Sequence, residues 1–161
     1  MRTFYAGRMA GETAERTKTL AAAPEVVWAV VGDVTRMPEW SAELESVDVV
    51  EGDGRTSGSR FRGNNRSGQR SWSMTCVIDV FDENRSLEFH TENAKGETRT
   101  RWWYRLAPSG EGTTITEGFM RVAKLGRLRA AAERKLLGDR AEYNARNIDE
   151  SLRRLAEVVE P

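Results

Sequence analysis

The chain has 161 residues, with 25 basic against 25 acidic side chains for a formal net charge of zero, and 39% hydrophobic residues including five Trp. That suits one domain with one core, and the charge balance argues against a nucleic-acid binder, which needs a surplus of cations to meet phosphates. No apolar run approaches the roughly 18 residues of a membrane span, so no membrane insertion is expected, and a single cysteine, Cys76, excludes an internal disulfide.

Residues 1–13 read as a loose tail and 14–161 as the domain. The N-terminus has no continuous apolar stretch of the secretory type, so a cytoplasmic location is expected. Residues 17–22 form a plausible first strand. Pro24 then opens a helix, where its missing N–H costs nothing, although Ala23 is a poor cap. Val27, Val30, Val31 and Val34 recur at helical spacing with Trp28 beside them, and Gly32 is placed to end the helix in a left-handed turn. Asp33 or Thr35 can cap a second short helix carrying Met37, Trp40 and Leu44, with Trp40 anchoring the helix pair to the sheet.

Beyond Leu44 the period changes to two. Strands are expected at 46–51, 59–64, 70–81, 86–91, 97–106 and 113–121, separated by short turns that favour antiparallel neighbours. In 70–81 the alternation puts Trp72, Met74, Cys76, Ile78 and Val80 on one side. In 97–106 it puts Thr100, Trp102, Tyr104 and Leu106 opposite Arg99, Arg101, Trp103 and Arg105, and in 113–121 it aligns Ile115, Glu117 and Phe119. Residues 122–159 return to helical spacing through Leu125, Leu128, Leu136, Ile148, Leu152, Leu155 and Val159. A straight helix of that length would be on the order of 55 Å, longer than a compact domain of this size accommodates. A break is therefore expected near Gly126 or Gly138, leaving the segment before Gly138 free to act as a lid.

The run 23–28 (Ala-Pro-Glu-Val-Val-Trp), Asp33 with 37–41 (Met-Pro-Glu-Trp-Ser), 58–66 (Gly-Ser-Arg-Phe-Arg-Gly-Asn-Asn-Arg), Trp72 and the closing amphipathic helix together resemble the START-like (SRPBCC) superfamily of helix-grip proteins, in its polyketide cyclase/dehydrase-like branch. The resemblance covers residues 16–159; the Ser or Asp usual before the helix-starting Pro is here Ala23. It implies an α+β helix-grip fold, in which a curved antiparallel sheet of about seven strands wraps around a long C-terminal helix, with two short helices after the first strand. It also implies a cavity between sheet and helix for a lipid, polyketide or similar hydrophobic compound. The activity itself has to come from the site, since one fold hosts many.

The expected cavity wall comprises Trp40, Phe61, Trp72, Met74, Cys76, Phe89, Trp102, Tyr104, Glu117 and Phe119, closed from the helix by Leu125, Leu128 or Leu136. Aromatic walls with one or two polar atoms suit a small-molecule pocket, and they equally suit a filled core. Glu117 is the candidate acid or base and Tyr104 the candidate partner, because an unpaired carboxylate among apolar residues is costly and its pKa rises. Pairing of Glu117 with Arg60 is the alternative. His90 falls on the outer face, and neither it nor Cys76 has the companions needed for a metal set or a nucleophilic triad, so no metal and no cofactor are expected. Trp103 among its arginines offers cation–π stacking or a surface for a homodimer.

Charge is unevenly spread. Segment 25–53 carries eight carboxylates against Arg36, and segment 121–140 seven bases against Glu133 and Asp139; these are solvated faces, or surfaces that attract each other or a partner. Three functions therefore stand open: a carrier or sensor of a hydrophobic small molecule, a cyclase/aromatase-type enzyme using Glu117 and Tyr104 with Arg60, and a protein-interaction module.

Overall fold

The computed structural model describes residues 12–123 and 126–160. The expected tail lies outside the described residues except for Glu12 and Thr13, and Leu125 lies outside them too. Strand β1 (Thr13–Leu20) is followed by helix α1 (Pro24–Val31), a 3-10 helix (Val34–Glu39), β2 (Leu44–Glu51), β3 (Arg60–Ser67), β4 (Arg70–Asp82), β5 (Ser86–Glu92), β6 (Thr98–Ser109), β7 (Gly112–Arg121), α2 (Arg127–Leu137) and α3 (Arg140–Val159). The strands form one antiparallel sheet in the order β1-β7-β6-β5-β4-β3-β2. β2 to β7 is a meander, and β1 lies beside the last strand. β1 begins earlier than its own weak alternation suggests, because it pairs with β7 along its whole length, from Thr13↔Met120 to Leu20↔Thr113.

The sheet curls around α3. Leu20, Phe61, Ile78, Leu87, Ile115 and Phe119 on the concave face pack with Ile148, Leu152, Leu155 and Val159 of the helix. α1 contributes Val27, Trp28, Val30 and Val31 to the same core. Gly32 is not left-handed as expected; its φ of −75° and ψ of −5° are right-handed helical. The glycine is needed for space, since a Cβ there would sit 2.6 Å from the Trp28 indole. Asp33 caps the 3-10 helix, accepting from the Thr35 N–H.

Two expectations about side-chain direction are corrected. The β4–β5 register shifts between Ile78 and Val80, and this bulge turns Val80 outward and brings Phe81 inward, where its ring meets Trp28 edge-on at 5.2 Å. Leu128 and Leu136 do not close the cavity; they are 91% and 81% exposed. Their direction follows from the break at Gly138, whose φ is +69°, and from an ion-pair clamp. Glu133 of α2 is held by Arg121 at 2.5 Å and by Arg140 at 3.3 Å. That rotation turns Glu133 toward the body and leaves the Leu128–Ala132–Leu136 stripe on the far side. Asp139 restarts the chain as α3, accepting from the N–H groups of Ala141 and Glu142.

Candidate functional site

Between the concave face and α3 lies a pocket of about 410 Å³. Its sheet wall is a continuous aromatic surface. Phe61 meets Phe89 at 5.2 Å, Trp40 meets Tyr104 edge-on at 5.3 Å, and Trp102 lies against Phe119 at 5.3 Å. Met74 and Cys76 fill between them, and Trp72 stands at the mouth, half-buried, with the Arg70 guanidinium 5.5 Å from its ring centre. The structure thus brings together around one pocket all the expected residues except Leu128, Leu136 and the undescribed Leu125. Burial of Cys76 pushes its thiol up to about 12, so it is an apolar wall atom and not a nucleophile.

The helix side has different chemistry. Arg140, Asn144, Asn147 and Ser151 of α3 line the pocket alongside Ile148. Sequence reasoning missed these. The available signal was that Asn144 and Ser151 fall in phase with Ile148, Leu152 and Leu155, on a stripe whose other members are apolar. Ser151 Oγ accepts from the Ala42 N–H at 3.0 Å, and the Tyr143 hydroxyl donates to Glu43 and approaches Ser67 Oγ at 3.1 Å, tying α3 to the β2–β3 edge of the mouth. On the sheet, the Thr91 and Thr100 hydroxyls bond each other at 2.6 Å, and Trp102 Nε1 donates to Thr100 at 3.2 Å.

Among the described residues, the buried side-chain polar atoms without a hydrogen-bond partner are Trp40 Nε1, Glu117 Oε2, Arg140 Nε, Asn147 Nδ2 and Glu12 Oε2. All but the last belong to residues of the pocket wall. Unpaired buried polar groups are costly, so natural interiors pair them with protein or water. Their concentration around one void marks it as a place where a guest can complete the bonds.

Glu117 is 3% exposed, on the inner face of β7 directly across from Tyr104 of β6. Burial drives its carboxyl well above the usual carboxylate range, the Tyr104 phenol beside it opposes that rise, and the Asp149 charge adds to it. Tyr104 is likewise raised, by burial first and then by Glu117. Burial thus favours the protonated form of both groups, which face each other across the strand pair. Arg60 does not reach them. It lies on the outer face, paired with Glu92, because the alternation that turns Phe61 inward turns Arg60 outward. His90 is also on that face, held between Asp79 at 2.9 Å and Glu92 at 3.2 Å. Trp103 stacks under Arg105 at 5.4 Å and donates to Glu15 at 2.8 Å.

Solved structures with this architecture include TTHA0849 from Thermus thermophilus (TM-score 0.70, 18% identity, covering 91% of this chain and 96% of that one). The KanY protein is similar at a TM-score of 0.68 and 20% identity, over 95% of this chain and 100% of its own. The polyketide-cyclase-like protein Cgl2372 from Corynebacterium glutamicum aligns with a TM-score of 0.57 and 24% identity, over 93% and 90%. At these identities the likeness is one of fold. No curated protein sequence matches this one. The sequence pattern of the family described as polyketide cyclase / dehydrase and lipid transport matches residues 12–160, nearly the whole chain. The chain belongs to the polyketide cyclase/dehydrase and lipid transport family.

Proposed function

We propose that the protein binds a hydrophobic small molecule in the pocket between the sheet and α3, as a carrier or sensor. The observation that carries this reading is the pairing of an aromatic void of about 410 Å³ with unpartnered Trp40 Nε1, Asn147 Nδ2, Arg140 Nε and Glu117 Oε2 on its walls. Three of these are donors and the fourth belongs to a carboxyl that burial biases toward its protonated form, so the guest is an apolar body bearing oxygen acceptors. Apolar contact supplies affinity, and the polar atoms fix orientation. The test is mass spectrometry of freshly purified protein, native and then denatured with organic extraction. A stoichiometric hydrophobic compound is expected; a clean mass, together with no quenching of tryptophan emission by a panel of apolar acceptor-bearing compounds, would sink the reading.

A second reading has its own observation, the buried Glu117 carboxyl opposite the Tyr104 phenol. The Glu117 carboxyl can pass its proton to a substrate carbonyl oxygen held by the Tyr104 phenol while its other oxygen takes a proton from the neighbouring carbon, which leaves the enol and a regenerated carboxyl, the proton chemistry of cyclisation and aromatisation. Comparing conversion of a poly-β-keto substrate by wild type, Glu117→Gln and Tyr104→Phe separates the two readings. Rates that are unaffected by either change exclude the enzymatic one.

A further inference from the structure

We infer that the ligand is an amphiphilic carboxylic acid, its apolar body on the aromatic wall and its carboxylate at the junction of two pockets, held by Arg140 and Arg99. This rests on the binding role proposed above and names the class of molecule that fills it.

The second pocket, about 360 Å³, exists because β4 outruns its neighbour. β4 pairs with β3 from Arg70 onward, whereas its pairing with β5 starts only at Thr75↔Glu92. Residues 70–74 are therefore open on one side, and the gap is bounded by Trp72 and Met74 of β4, Arg99 and Thr100 of β6, Arg121 of β7 and Arg140 of α3. Trp72, Met74, Thr100 and Arg140 line both pockets, so the two spaces meet at these side chains.

The charges at this junction do not balance. Three arginines line the second pocket, and Arg99, expected on the outer face by alternation, does so from the irregularity where the β5–β6 register shifts between Thr91 and Glu92. Arg121 and Arg140 share the one carboxylate of Glu133, and Arg121 also stands 3.7 Å from Glu12. Arg99 makes no ion pair among the described residues, and Arg140 Nε is buried without a partner. Glu92 also borders this pocket, but its two oxygens are taken by Arg60 and His90. The missing component is one anion with acceptors for the Arg140 and Arg99 guanidiniums, and a carboxylate meets that need.

The opposite end of the first pocket suits a neutral oxygen instead. Around Glu117 the wall offers Trp40 Nε1 and a carboxyl raised by burial, and Arg16, its register partner on β1, is paired with Asp149 instead. Glu117 and Arg121 lie four positions apart on β7, a span of about 13 Å. Thr100, next to Arg99, is the register partner of Arg121, so the acid's head and its distal oxygen are separated by about that length of apolar framework.

The test uses matched pairs that differ only in charge: dodecanoate with methyl dodecanoate, and anthracene-2-carboxylate with its methyl ester, so that a chain and a fused-ring body are both sampled. Dissociation constants for the full chain are read from tryptophan quenching at neutral pH. At least one acid is expected to bind about tenfold or more tightly than its ester. Arg140→Gln and Arg99→Gln are each expected to bring that ratio below about threefold; Arg99→Gln breaks no ion pair among the described residues, which guards against misreading a folding defect. Acid and ester binding equally well would overturn the carboxylate assignment and leave the pocket's binding role intact. A preference that survives both substitutions would overturn it as well, since the anion would be held elsewhere. Failure of all four compounds to bind would overturn both.

Discussion

Glu117 is the place where the pocket's chemistry should show in the stability of the whole domain. Its carboxyl is raised far above its ordinary value of 4.5, first by burial. In the unfolded chain it titrates normally, so above about that pH the native state retains a proton that the unfolded state has released. The sign follows from linkage: stability is fully present below the unfolded value and declines as pH rises toward the folded one. Within that window the slope is about 1.4 kcal/mol per pH unit for one proton, or about 3–6 °C in Tm per pH unit for a domain of this size. Glu117→Gln removes the titration while keeping the shape. Thermal unfolding of wild type and variant, followed by circular dichroism from about pH 5 to pH 7, should show the Tm difference shifting in favour of the variant by about that slope. The amide adds a constant offset through its own hydrogen-bonding needs, so the slope is diagnostic and the offset is not. Parallel curves would refute the reasoning, because they would mean that Glu117 is as ionised in the folded protein as in the unfolded one.

Other consequences can be checked with simple variants. Cys76, held at about 12, should react with a disulfide reagent near pH 8 more than about 100-fold slower in native protein than in denatured protein; comparable rates would mean that the pocket admits the reagent freely. Leu155→Ala should cost about 2–5 kcal/mol in urea unfolding and Leu136→Ala less than about 0.5 kcal/mol, and equal losses would contradict the orientation of α2. Gly138, with φ +69° and ψ −155°, occupies a region closed to side chains, so Gly138→Ala should destabilise by about 1–3 kcal/mol. Gly126→Ala, at φ −60° with open space where the new Cβ would stand, should be near neutral by the same measurement.

The aromatic wall was legible in the sequence because period-two alternation states which face a strand residue takes. Phe61, Met74, Phe89, Tyr104, Glu117 and Phe119 all stand where their parity puts them. Parity fails at Val80, because one extra residue in a bulge inverts every direction beyond it, and no residue type in 78–81 announces the bulge. The rotation of α2 was hidden for another reason. Arg121, on a different element, holds Glu133 toward the body while the apolar stripe of the helix itself faces away. The polar lining of α3 was partly legible, since Asn144 and Ser151 lie in phase with leucines. Period alone cannot tell a polar residue facing a void from one facing a partner. At position 32 a glycine after a helix suggests backbone freedom, whereas its contribution in the fold is room for an indole.

The pairing of the first strand with the last shapes how the chain can acquire this structure. β1 is synthesised before the other described strands, and its partner β7 ends at Arg121. A growing chain therefore carries Leu20 and Ala14 with no sheet to bury them until about three quarters of the protein exists. The remaining quarter includes α3, which covers the concave face. Contacts of such long sequence separation slow folding, because loop entropy is lost before the pairing repays it. Partial chains that stop short of β7 leave both β1 and the free side of β6 as open edges, the form of strand most apt to pair with another molecule. The architecture that holds a pocket at its centre thus makes completion of the chain, and not any early subdomain, the event that protects it from aggregation.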